Sequence, residues 1–126
     1  MCAHKNMATA SDSHQQIDGE RLGIAADVLR HLADPTRLHL LHLLGDGEQD
    51  VSTLTAQVAA SRSSVSQHLG RLRLAGLVQA RRDGRRMLYR ITSGHLAGLV
   101  EEALGFADHA VLGIPHHQVR AAPESP

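Results

Sequence analysis

VAASRSSVSQHLGRLRLAGLVQARRDGRRMLYRI, residues 58–91, holds a helix, its stop signal and a hairpin in that order. Ser61 can cap a helix in which Val65, Leu69 and Leu72 form an apolar stripe and Gly76 marks the end. Just upstream, Ser52 can cap a short helix reaching Val58, and two short helices joined by a tight turn make a helix-turn-helix candidate. Downstream, Leu77 to Arg82 and Arg86 to Ile91 read as strands about Asp83-Gly84, a favoured two-residue hairpin turn. Met87, Tyr89 and Ile91 alternate there against Leu88 and Arg90.

Working outward, Asp34 followed by Pro35 supplies an N-cap and a first-turn proline for a helix that is apolar on nearly every side until Gly45 and Gly47. That helix is expected to be the buried centre. Before it, Ala25, Val28, Leu29 and Leu32 fall at helical spacing between Ile17 and Leu32. After the hairpin, Ser93 can cap a long helix carrying Leu96, Leu99, Val100, Ala103, Leu104 and Ala107, with Gly113 and Pro115 ending it. Residues 1–15 are small and polar without period and RAAPESP at the other end is similar, so 1–15 and the His-containing 113–126 read as flexible tails around one domain, 16–112. The expected fold class is mainly α with a small β-hairpin, a winged helix-turn-helix.

The 126 residues suit one domain, and 42% hydrophobic content is enough for one core. Phe106 and Tyr89 are the only aromatic residues, which argues against a β-sandwich and against modules that stack bases on aromatic platforms. Cys2 stands alone, so an internal disulfide, a Cys-x-x-Cys pair and a four-thiolate zinc site are excluded; it reads as a tail thiol, compatible with a reducing cytoplasm. The most apolar stretch, Leu38 to Leu44, is too short to span a membrane, and no signal segment opens the chain.

Net charge is zero but unevenly placed. Between Arg62 and Arg90 there are eight Arg and one Asp, giving +7, and the remainder holds five basic and twelve acidic side chains, giving −7. Ser64, Gln67, His68 and Arg71 share the helix face away from the apolar stripe, where Ser and Gln can bond base edges or phosphate and Arg can grip guanine or phosphate bidentately. Ser63, Ser64 and Ser66, with Arg62 beside them, are small enough to let the helix N-terminus approach a phosphate. Arg81, Arg82, Arg85 and Arg86 surround the hairpin tip, placing a wing along the backbone or in the minor groove of double-stranded DNA. A polar helix face or a charged hairpin alone is an ordinary solvated surface. Their order and spacing together indicate a DNA reader.

The segments ADPTRLHLLHLL, VAASRSSVSQHLGRLRLAGLV and RRDGRRMLYRI resemble the ArsR/SmtB family of bacterial winged-helix repressors over about Leu22 to Ala110. The resemblance implies a homodimer built on the first and last helices, bound to a palindromic operator and released by a metal or other inducer. The residues themselves point the same way, because so small a domain leaves the apolar faces of those two helices without partners. Where many members carry Cys-Val-Cys, this chain has Asp50, Val51 and Ser52, so arsenite, lead or cadmium sensing there is not expected.

The last helix instead carries His95 near its start, Asp108 and His109 near its end, and His116 and His117 beyond. His95 and His109 are fourteen residues apart, about 1,400° of rotation and roughly 21 Å of rise, so they share a face but not an ion within one chain. An antiparallel pair of these helices about a dyad brings His95 of one chain to Asp108 and His109 of the other, giving two equivalent sites. HLAGLVEEALGFADHAVLGIPHH is similar to the corresponding stretch of the mycobacterial nickel/cobalt sensors. That similarity implies His95, Asp108, His109 and His117 as ligands with His116 close behind, although Phe106 and Val111 stand where one such sensor has His. More than four nitrogen and oxygen donors favour Ni(II) or Co(II), and four suit Zn(II).

His31, His39 and His42 read as surface or core-edge histidines. With Met1 removed, Cys2-Ala3-His4 would form a square-planar Ni(II) or Cu(II) chelator, which makes His4 an additional metal candidate. A histidine-rich metal carrier is the competing class, but a carrier needs no +7 block. An enzyme is not expected, since the chain has no nucleophile motif, no His-Glu-x-x-His and no phosphate-binding glycine loop.

Overall fold

The computed structural model describes residues 18–112. In chain order the elements are α1 (Gly19–Leu32), α2 (Pro35–Leu44), β1 (Gln49–Asp50), α3 (Val51–Thr55), α4 (Arg62–Leu74), β2 (Val78–Asp83), β3 (Arg86–Ile91) and α5 (Gly94–Leu112). The chain divides at Ala33/Asp34 into two units. The first contains α1, capped by Asp18, whose Oδ1 accepts from the Arg21 N–H at 2.7 Å. Leu22, Ile24 and Leu29 are exposed along it, Val28 is half-buried and Leu32 is buried.

The second unit is built around α2. Asp34 Oδ2 accepts from the Arg37 backbone N–H at 3.0 Å, and Pro35 occupies the first turn, where its missing N–H costs nothing. Leu40, Leu41 and Leu44 are fully or nearly fully buried, as expected of the central helix, which packs on α4, α5 and β3. Leu54, Val65, Leu69, Leu72, Leu77, Val78, Leu88, Leu96 and Val100 complete a core of leucine and valine alone. Among the described residues no polar side chain is buried. Each such leucine contributes about 1.5–3 kcal/mol by leaving water.

Ser61 caps α4 as expected, its Oγ accepting from the Ser64 N–H at 3.1 Å. The helix ends in a Schellman turn, with Leu77 N–H bonded to Leu72 O and Gly76 N–H to Arg73 O, at 2.9 Å each. Gly76 takes φ 80°, which a side chain would disfavour. This stop turns the chain directly into β2, so the wing's position is set by the end of α4. Ser93 caps α5, accepting from the His95 N–H at 3.0 Å.

Three expectations change. The short helix α3 begins after Asp50 rather than Ser52, because the Asp50 carboxylate accepts the Thr53 N–H at 2.7 Å; it ends at Thr55, short of Val58. The hairpin pairs Asp83 with Arg86, so its two-residue loop is Gly84-Arg85 rather than Asp83-Gly84. Of these two loop residues Gly84, at the first central position, has the positive φ, 65°, which is the glycine placement of a type II′ turn. Finally, the hairpin gains a third strand in the order β1-β3-β2, with Gln49 opposite Tyr89 and Asp50 opposite Leu88.

Candidate nucleic-acid interface

On α4, Val65, Leu69 and Leu72 face the core, and this fixes what the opposite side presents. Ser63, Ser66, Gln67 and Arg71 are exposed at spacings of three and four, forming one outward stripe. Ser64 and His68 flank the buried stripe and are half-buried, so the exposed face is rotated relative to the expected set of Ser64, Gln67, His68 and Arg71. The His68 ring is turned to the start of α2, with Nδ1 3.1 Å from Arg37 Nη1 and Nε2 3.9 Å from Asp34 Oδ2. Arg62 Nη1 donates to Ser52 Oγ at 2.6 Å and so ties α4 to α3.

The wing arginines fall into two classes. Arg81 donates through Nε and Nη2 to the two Glu48 oxygens, at 2.8 Å each. The same contact holds the Glu48 carboxyl below its usual range and raises the Arg81 guanidinium further. Arg86 reaches Asp83 at 3.1 Å and Asp50 at 3.4 Å. Asp50 is also lowered, chiefly by the Thr53 N–H of its cap. Arg82 and Arg85 form no ion pair with the described residues and are exposed, as is Arg90. Glu48, Asp50 and Asp83 are the acidic neighbours of these arginines, and of the three only Asp83 falls inside the basic block of the charge count. Glu48 and Asp50 reach the wing only because β1 pairs with β3.

The sequence from residue 34 to 80 matches the model of the family described as "Bacterial regulatory protein, arsR family". Over 113 residues the chain is 42% identical to the HTH-type transcriptional regulator KmtR of Mycobacterium tuberculosis, covering 90% of this chain and 86% of that one. The chain belongs to the ArsR family. Its relatives are transcriptional regulators rather than enzymes, and α3, α4 and the hairpin after them give this chain the winged helix-turn-helix fold. The solution structure of the homodimeric winged helix-turn-helix domain Mb0332 from Mycobacterium bovis is similar, with TM-score 0.65, 34% identity and coverage of 76% of this chain and 89% of that one. So is the antimony-specific transcriptional repressor AntR, with TM-score 0.70, 31% identity and coverage of 77% and 88%.

On the ArsR chain's α5, His95 and Asp108 are exposed and His109 is half-buried. Among the described residues no three His, Cys, Asp or Glu side chains of one chain converge as a metal site. His4, His116 and His117 lie outside the described residues, as do Cys2, Gly113 and Pro115. Leu96 and Val100 are buried, whereas Leu99, Ala103 and Ala107 of the expected stripe are exposed, and Phe106, Val111 and Leu112 are exposed as well. His39 and His42 line a cavity of about 580 Å³ between α2 and α5, together with Glu101 and Asp108. There His42 Nδ1 lies 2.6 Å from Glu101 Oε2. His31 lies 3.7 Å from Asp27 on α1. No described helix is long and apolar enough to cross a membrane.

Proposed function

We propose that this ArsR-family chain is a homodimeric, metal-responsive repressor acting in the cytoplasm, which binds a palindromic operator and releases it when Ni(II) or Co(II) binds between two α5 helices. The observation that carries the reading is the character of α5. Its metal-binding side chains sit at opposite ends, His95 near the start and Asp108 with His109 near the finish, while apolar Leu99 and Phe106 are exposed between them. One chain cannot assemble the donors; two antiparallel copies can. The homodimeric Mb0332 domain and the antimony-specific repressor, to which the chain is similar, support pairing and metal response respectively.

His95 of one protomer and Asp108 and His109 of its partner would hold the ion, with His116, His117 and His4 as further donors. These are nitrogen and oxygen donors, which fit Ni(II) or Co(II) above four ligands and Zn(II) at four. A bound divalent ion would supply coordination bonds joining the two subunits.

On the DNA side, Gln67 and Arg71 face base edges. Ser63 and Ser66 bring the start of α4 close to phosphate, and Arg82 and Arg85 meet the backbone beside it. The two α4 helices must stand about 34 Å apart to enter successive major grooves, so a metal that stabilises another separation weakens binding, typically by about 1–3 kcal/mol.

The test is a titration of operator binding against Ni(II), Co(II) and Zn(II) at controlled free-metal concentration. Release by nickel or cobalt supports the reading. Release by zinc alone selects the zinc-responsive alternative, and indifference to all three refutes metal response.

A further inference from the structure

We propose that His68 is a positioning residue for operator reading: it fixes the angle of α4 by bridging Arg37 and Asp34 at the start of α2, and it does not itself touch DNA. The inference rests on α4 as the reading helix. Two segments far apart in sequence, DPTR at 34–37 and SQHL at 66–69, meet at this point.

The chemistry of the cluster is directional. A guanidinium has only donors, so at 3.1 Å from Arg37 Nη1 the His68 Nδ1 must accept. The ring proton then sits on Nε2, which faces the Asp34 carboxylate 3.9 Å away. Asp34 is in turn occupied by the Arg37 N–H it caps, the leading cause of its lowered pKa. The His68 side chain is 19% exposed, while Gln67 and Arg71 on either side of it along the helix are exposed. With Nδ1 bonded to Arg37 and Nε2 turned towards the Asp34 carboxylate, the ring is oriented to the start of α2 rather than along the exposed stripe of Gln67 and Arg71. It does control rotation of α4 about its own axis, since an apolar leucine and valine stripe tolerates small rolls that a hydrogen bond does not. A roll of α4 would swing Gln67 and Arg71 off their base edges while leaving the wing arginines in place.

The experiment uses the full chain and a duplex selected from a random-sequence library by the wild-type protein. Failure of the wild type to select any duplex would refute α4 as a DNA reader, separately from the role of His68. Given a selected duplex, His68→Ala should lower affinity about tenfold, the scale of one hydrogen bond to a charged group. It should narrow the gap between the selected and a scrambled duplex, and leave the salt dependence unchanged, whereas loss of a phosphate contact would reduce the slope by about 0.9. Arg37→Ala should do the same, and the double variant should lose no more than either single one. His68→Gln, whose amide can accept from Arg37 and donate towards Asp34, should restore discrimination. Unchanged discrimination in His68→Ala overturns the proposal. So does a reduced salt slope with losses that add to those of Arg37→Ala. Should His68→Ala fail to fold, Arg37→Lys keeps the charge but not the reach, and unchanged discrimination in that variant overturns the proposal equally.

Discussion

Replacing Arg82 and Arg85 together by alanine tests whether the wing's unpaired cations, rather than its total charge, set contact with the DNA backbone. Each phosphate neutralised contributes about 0.9 to the slope of log affinity against log salt. Arg82 and Arg85 are exposed and have no carboxylate partner among the described residues, so the double variant should flatten the slope by about 1.8 per subunit. For the dimer that is about 3.6, so between 50 and 200 mM salt the variant's affinity should fall roughly 150-fold less than the wild type's. Arg81→Ala should change the slope by well under one phosphate equivalent, because Glu48 already holds that guanidinium through two 2.8 Å hydrogen bonds. Glu48→Gln releases Arg81 and should steepen the slope by up to about 0.9 per subunit. Fluorescence anisotropy with a labelled operator duplex over that salt range gives all four slopes. An unchanged slope in the double variant, or an equal change in Arg81→Ala, would refute the division of the wing into paired and unpaired arginines.

Leu99→Glu should place a charge in the seam between two copies, and sedimentation should show monomers where the wild type dimerises at micromolar concentration; a folded wild-type monomer there would remove the dimer and the shared metal site together. Mixing His95→Ala chains with His109→Ala chains should yield heterodimers with half the metal capacity, since one site loses both mutated ligands and the other keeps all of its own, whereas loss at both sites contradicts cross-subunit coordination. The Asp34 carboxyl is held below the usual aspartate range chiefly by the Arg37 N–H, so its stabilising contribution is complete above about pH 3.9 and is lost as pH falls through the lowered value. Asp34→Ala should therefore cost about 1 kcal/mol at neutral pH for the lost cap. Asp34→Asn should keep most of that cap while flattening the acid limb of stability in denaturant unfolding, and an unaltered acid limb would show that Asp34 is not its source.

The helix starts are legible in the sequence because their physics is local. Asp34 with Pro35, Ser61 and Ser93 each bond an N–H two or three residues away, so the starts of α2, α4 and α5 are written in adjacent residues. The start of α3 is ambiguous in the sequence because Asp50 and Ser52 are both good caps; in the structure Asp50, the last residue of β1, takes that role. β1 itself spans two residues, too few to show alternation, and its partner lies about forty positions away. The hairpin turn lies one residue beyond the expected Asp83-Gly84 because Asp-Gly suits a type I′ loop, whereas the strand register puts glycine first. On α4, spacing alone could separate a core face from its opposite but could not place His68, whose partners Asp34 and Arg37 come from another helix. Of the α5 stripe inferred from domain size to lack a partner, Leu99 and Ala103 are exposed, whereas Leu96 and Val100 are buried in the chain's own core, because α2 and β3 pack on that side.

Tyr89 sits half-buried in β3, flanked by Gln49 of β1 and Ala80 of β2, and the whole chain contains one tyrosine and no tryptophan. The middle strand of the wing therefore carries the molecule's only strong near-ultraviolet chromophore. Near-ultraviolet dichroism of this protein reports largely on one hairpin rather than averaging over a core. Fluorotyrosine incorporation would yield a single fluorine resonance per subunit, placed beside the strand that carries Arg82. Two-fold symmetric dimers would show one line, and a wing that engages DNA in only one half-site would split it into two.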